Sequence, residues 1–191
     1  MPLTASELKV IRKLYDRFDI DKSGEITPDE FGDFIKTALK IDLTAYSGDE
    51  ELPSDLEKAD LPDDEIEWLL NGIDINNDKK ASFNEVIKCF AAIKDQDMLH
   101  LSMISFRGLD KKRNRIIKLK DVKDNNVGVI GGKLTRDEFI SKMQETLGEV
   151  KNTINFSEYF RILTGGVIQY DYDPYEGEIG QTIRSAYCIL I

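Results

Sequence analysis

From Asp19 to Glu30 the chain reads Asp-Ile-Asp-Lys-Ser-Gly-Glu-Ile-Thr-Pro-Asp-Glu. Side chains bearing oxygen recur along it: Asp19, Asp21 and Ser23 at positions 1, 3 and 5, Thr27 at 9 and Glu30 at 12. Glu25, at position 7, adds a backbone carbonyl, and Gly24 at position 6 supplies the sharp turn. A hard cation such as calcium takes six to eight oxygens at about 2.3–2.6 Å, and a tight loop can present them in this alternation. Glu30 would close such a site with two oxygens, and Thr27 would ligate directly or through water. A second stretch begins at Asp74, with Asp74, Asn76, Asp78, Ser82 and Glu85 at positions 1, 3, 5, 9 and 12 and the backbone of Lys80 at position 7. Lys79 replaces the position-6 glycine. A left-handed backbone there costs a non-glycine residue about 1 kcal/mol or more. Lys79 and Lys80 also weaken the negative field, so calcium is expected in both loops and more tightly in the first.

Two further stretches keep the frame but lose the ligands. From Asp110, Ile117 takes position 8 and Asp121 position 12, yet Lys112, Arg115 and Lys118 hold positions 3, 6 and 9. An ammonium has no lone pair to offer a cation, so this loop is expected to stay free of calcium. From Leu147 to Glu158, Ile154 takes position 8 while Leu147 and Lys151 hold positions 1 and 5, and the same expectation applies. Lys111, Lys112, Arg113, Arg115, Lys118, Lys120 and Lys123 form a basic cluster on an otherwise acidic chain. It reads either as a contact for anionic lipid or an acidic partner, or as cations that take over the metal's charge within an inactive loop.

Such loops need helices to hold their ends. Leu8, Ile11, Tyr15 and Phe18 recur at helical spacing and give one apolar face, and Thr4 with Glu7 forms a capping box. Phe31 and Phe34 open the helix that leaves the first loop. The opening phrase at Leu3–Glu7 returns at Leu61–Glu65 and Leu134–Glu138, which indicates an internal repeat. Helix, loop and helix together resemble the EF-hand family. Loop starts at 74, 110 and 147 lie 36 and 37 residues apart, similar to the interval of calmodulin-like four-hand proteins. The first interval, 19 to 74, is longer by about the size of an acidic insert, 41–61, with a candidate short helix at Ser54–Glu57.

The resemblance covers residues 4 to about 163. It implies an all-α fold of two EF-hand pairs: a calcium-binding pair over 1–95 containing the insert, and a degenerate pair over 96–164, followed by a tail at 165–191. It also implies that Ile26, at position 8, pairs with a partner loop through a short strand.

Composition narrows the function. Hydrophobic residues make up 41% and charged residues 32% of 191, enough for buried cores, and the net charge of −10 disfavours nucleic acid. No apolar run reaches membrane length, and the opening Met1-Pro2-Leu3-Thr4 leads us to expect neither a secretory signal nor myristoylation. Two distant cysteines, Cys89 and Cys188, make no disulfide framework, and a cytoplasmic setting is expected. The terminal Cys188-Ile189-Leu190-Ile191 has the form of a prenylation signal, the one route to a membrane. Ile179, Ile183, Tyr187 and Leu190, at near-helical spacing, suggest instead that the tail docks in a lobe or on a partner. No nucleophile elbow, phosphate loop or zinc cluster is present, so an enzyme is not expected.

The leading expectation is a monomeric calcium sensor. Calcium would open the first lobe and expose a groove lined by Phe18, Phe31, Phe34, Leu70, Phe83 and Phe90 to a target protein or peptide. The alternatives are a calcium buffer, since the internal methionines Met98, Met103 and Met143 all fall in the second lobe, and a constitutive scaffold subunit.

Overall fold

The computed structural model describes residues 3–124, 126–129, 132–168 and 173–175. The chain divides into two compact units, Met1–Asp97 and Met98–Ile191.

In the first unit α1 (Ala5–Phe18), β1 (Glu25–Ile26), α2 (Pro28–Ala38), α3 (Asp63–Ile73), β2 (Ala81–Ser82) and α4 (Phe83–Lys94) follow one another. The capping box is the recurrent reason these helices begin where they do. Thr4 starts α1 with Glu7, and Ser82 starts α4 with Glu85. Pro28 opens α2 at the one helical position where a missing N–H costs nothing. The apolar faces meet in a core of Val10, Ile11, Leu14, Phe31, Phe34 and Trp68. Tyr15 stands edge-on to Phe34 and Phe83, with ring centroids 6.1 and 5.3 Å apart. Lys94, at the end of α4, donates to Glu7 at 2.5 Å and so fastens α4 to the start of α1.

The insert is a strap laid along α1. Ser6 donates to the Tyr46 carbonyl at 3.2 Å, Lys13 to that of Glu50 at 2.5 Å, and Arg17 to those of Leu52 and Pro53 at 2.6 Å each. Lys9 pairs with Asp49 at 2.6 Å. Gly48 sits at φ +83°, where a Cβ would lie 2.8 Å from the Ser6 carbonyl. The far end of the strap reaches α2: Lys58 pairs with Asp33 at 2.9 Å, and the Ala59 N–H donates to the Lys36 carbonyl at 2.8 Å. The expected helix at Ser54–Glu57 is a simple turn, and a 3₁₀ turn forms instead at Leu43–Ala45, capped by Asp42.

The second unit comprises α5 (Met98–Leu109), β3 (Ile117–Lys118), β4 (Val127–Val129), β5 (Gly132–Leu134), α6 (Arg136–Leu147), β6 (Thr153–Ile154) and α7 (Phe156–Thr164). It departs from four helix-loop-helix units at one point. The helix expected to leave the third loop is replaced by a 3₁₀ turn at Leu119–Asp121 and the antiparallel hairpin β4–β5. The residues explain this: Gly128, Gly131 and Gly132 alternate with β-branched Val127, Val129 and Ile130, a poor helix and an acceptable hairpin. Gly128, at φ +116°, tolerates no side chain, since a Cβ would meet the Gly132 carbonyl oxygen at 2.5 Å. The hairpin packs on α5, which is buried from Leu101 to Leu109, and the Tyr159 hydroxyl accepts from the Gly128 N–H at 3.3 Å. With seven α-helices and sheets of two strands each among the described residues, the fold is all-α, as expected.

Candidate metal centre

The first loop is held between α1 and α2, whose facing ends are fixed by the aromatic core. Asp19 caps the end of α1 and is buried, while Asp21 and Ser23 are exposed. One oxygen of Asp19 accepts from the Ser23 N–H at 3.0 Å and the other from the Gly24 N–H at 2.9 Å. Asp21 also accepts from the Ser23 N–H, at 2.9 Å, and the Ser23 hydroxyl donates to the Glu25 carbonyl at 2.9 Å. Gly24 has φ +84°, the left-handed turn read from the sequence. Glu30 is at once the last loop residue and the third residue of α2. Its Oε1 accepts from the Ile20 N–H at 2.8 Å, and its Oε2 from the N–H and hydroxyl of Thr27 at 2.9 and 2.7 Å.

These bonds bring carboxylate oxygens of Asp19, Asp21 and Glu30 within 4.8 Å of one another. No other group of three metal-binding side chains gathers so closely among the described residues. Like charges so near would push protons on, but the surroundings hold them off. Ser23 keeps Asp21 below the ordinary carboxylate value. Burial opposes the charged form of Glu30, and the hydrogen bonds from Thr27 and Ile20 outweigh it. Asp21 and Glu30 are thus held in their charged form beside Asp19, and this group of hard oxygen donors fits calcium.

The second loop lies between α3 and α4 and repeats the pattern with less charge. Asp74 is buried and accepts from the Asn77 N–H at 2.6 Å and the Lys79 N–H at 3.0 Å. Lys79 takes φ +65°, the strained conformation that its place in the loop demands. Asn76 donates to Asp78 at 2.7 Å. Glu85 accepts from the Ile75 N–H at 2.7 Å and from the N–H and hydroxyl of Ser82 at 2.9 and 2.7 Å, copying Glu30. Lys80 turns its ammonium to Glu25 of the first loop, 3.1 Å away, and that contact raises the lysine's pKa.

The two loops are joined back to back. Ile26 pairs with Ala81 and Glu25 with Ser82 in β1–β2, the strand contact expected at position 8. Beneath the strands the Tyr15 hydroxyl shares its proton between the Gly24 carbonyl at 2.9 Å and the Ala81 carbonyl at 2.8 Å. Burial pushes its pKa up to about 12. Sequence reasoning placed Tyr15 on the apolar face of α1 and missed this bridge, because periodicity registers the ring and not the hydroxyl.

The other two loops are closed by protein groups. Ile117 pairs with Ile154 in β3–β6. In the fourth loop the Lys151 ammonium, at position 5, is ion-paired with Glu158 at position 12, which raises the lysine's pKa. In the third loop Asp110 is buried, and Asp121 at the far end is exposed. Cys89 is buried, whereas Cys188 and the terminal run after Tyr175 lie outside the described residues. No described helix is long and apolar enough to cross a membrane.

Comparison with known proteins places this geometry. Residues 8–91 match the EF-hand domain pair, a span that runs from α1 into α4 and contains both acidic loops. The chain is similar to troponin C isoform 1 of Balanus nubilus, 21% identical over 168 residues, covering 85% of this chain and 93% of the relative. It is also similar to troponin C of Tachypleus tridentatus, 25% identical over 167 residues, covering 85% and 96%. Converging loop carboxylates, paired loops and these matches lead to one conclusion: residues 8–91 form an EF-hand domain pair of the calcium-binding kind.

Proposed function

We propose that the chain is a calcium sensor whose first unit opens on binding calcium and offers an apolar groove to a target protein or peptide. The observation that carries this reading is the junction of the two loops. Tyr15 projects from α1 and is bonded to both loops at once, so a shift in either loop reaches the helix that lines the core. The groove residues are held in reserve: Phe31, Phe34 and Leu70 are buried, and Phe18, Phe83 and Phe90 are half-buried. Reorienting α1 against α2 would bring that surface to solvent. The ligands would be Asp19, Asp21, Ser23, Glu25, Thr27 and Glu30 in the stronger site, and Asp74, Asn76, Asp78, Lys80, Ser82 and Glu85 in the weaker. The reading is of a cytoplasmic monomer without affinity for nucleic acid.

The strap favours a second reading, a buffer that binds calcium and barely opens. It ties α1 to the loop that leaves α2, and opening must strain those ties.

Calorimetric calcium titration in excess magnesium, with an apolar dye followed in parallel, separates the two. Two sites are expected, with Glu30→Gln and Glu85→Gln each weakening its own site by roughly tenfold or more, about 1.4 kcal/mol. A calcium-dependent rise in dye fluorescence supports the sensor. Two filled sites with no rise leave the buffer, and no binding defeats both.

A further inference from the structure

The third loop keeps a first-position aspartate in the same backbone cradle as the first loop. Asp110 accepts from the Asn114 N–H at 3.2 Å and the Arg115 N–H at 2.7 Å, as Asp19 does from Ser23 and Gly24. What faces it differs. Instead of further carboxylates, Asp110 meets the hydroxyl of Tyr175, which donates to its carboxylate at 2.9 Å and lies 3.3 Å from its backbone carbonyl.

Tyr175 arrives on a turn, Asp173-Pro174-Tyr175, closed by its own N–H donating to Asp173 at 3.0 Å. Every residue of that turn is gripped. Asp173 accepts from Arg115 Nε at 2.6 Å and is ion-paired with the same guanidinium through a second nitrogen. The buried Pro174 gives its carbonyl to Arg107 at 2.9 Å, and Arg107 is itself only 7% exposed, on α5. The guanidinium carbons of Arg113 and Arg115 stand 5.1 and 5.9 Å from the centroid of the Tyr175 ring, within cation–π reach. Burial and the Asp110 charge both raise the Tyr175 pKa, which keeps the hydroxyl a donor.

Arg115, which spoils the loop for a cation at position 6, therefore also holds the tail, with Arg113 beside it. Arg113 and Arg115 occupy positions 4 and 6, where positive charge repels a divalent ion and attracts a carboxylate and an aromatic face. We propose that the third loop is a peptide-binding site for an acidic residue–proline–tyrosine turn, and that residues 173–175 are its resident ligand. Tethering gives that ligand a high effective concentration, so a partner segment of the same chemistry competes only when abundant.

The test is hydrogen exchange on the full chain, reading the Asn114 and Arg115 amides. In the wild type they exchange equally slowly with calcium and with chelator. Asp173→Asn combined with Tyr175→Phe, both outside the helical core, speeds their exchange roughly tenfold and leaves the calcium titration of the first unit unchanged. A synthetic peptide Asp-Tyr-Asp-Pro-Tyr-Glu-Gly (the sequence of residues 171–177) added at millimolar concentration to that double variant restores protection, and its Asn/Phe counterpart does not. The proposal is overturned if calcium alone slows these amides, if the double substitution leaves them unchanged, or if the peptide restores nothing.

Discussion

Tyr15 and Glu30 each hold two positions in the structure at once. Glu30 is the closing residue of the first loop and the third residue of α2, reaching back to the Thr27 cap, so its place near Asp19 and Asp21 is fixed by the helix. Tyr15 bridges Gly24 and Ala81, one carbonyl from each loop. Tyr15→Phe keeps the ring packing and leaves two inward carbonyls without their donor. Denaturant unfolding in chelator is expected to show a loss of about 1–3 kcal/mol, and calcium titration a weaker coupling between the two sites. The loop ligands were legible from residue type and spacing because cation coordination dictates both. The shared hydroxyl was not, since it depends on where a second loop 66 residues away comes to rest.

At the scale of elements, the capping box and helical periodicity announce α1, its repeated opening phrase announces α3 and α6, and the position-8 residues announce β1–β2 and β3–β6. The hairpin β4–β5 escaped this reading. The repeat frame predicts a helix after Asp121, and only local composition argues against it. Gly128, within β4, is the residue whose lack of a side chain the hairpin requires. Gly128→Ala should cost more than about 1 kcal/mol, because the left-handed φ and the Gly132 carbonyl both refuse a methyl group. Near-ultraviolet circular dichroism through a thermal melt would show it, as Tyr159 sits against that residue. The Asp173–Tyr175 turn was also beyond sequence reasoning. The sequence suggests a tail that docks through Ile179, Ile183, Tyr187 and Leu190, and nothing in its spacing points Asp173–Tyr175 to the third loop.

For the molecule as a whole, charge decides the response to acid. The Glu7 carboxyl is held at about 2, against an ordinary 4.5, chiefly by its hydrogen bond from Lys94 and then by the Thr4 backbone. A depressed carboxylate stabilises the fold above its unfolded value and loses that contribution as pH falls through the folded one. The first unit is therefore expected to weaken between about pH 4.5 and 2, and Glu7→Gln to flatten that slope in thermal melts recorded in chelator. The strap adds a consequence for how this protein can change over time. Ser6, Lys13 and Arg17 donate to main-chain carbonyls of the insert, which every residue type supplies. Asp49 is the exception, binding Lys9 through its side chain. Mutational tolerance is thus lopsided across one contact: the insert is free to drift in sequence at positions such as Glu51 and Pro53, while the donors on α1 are not.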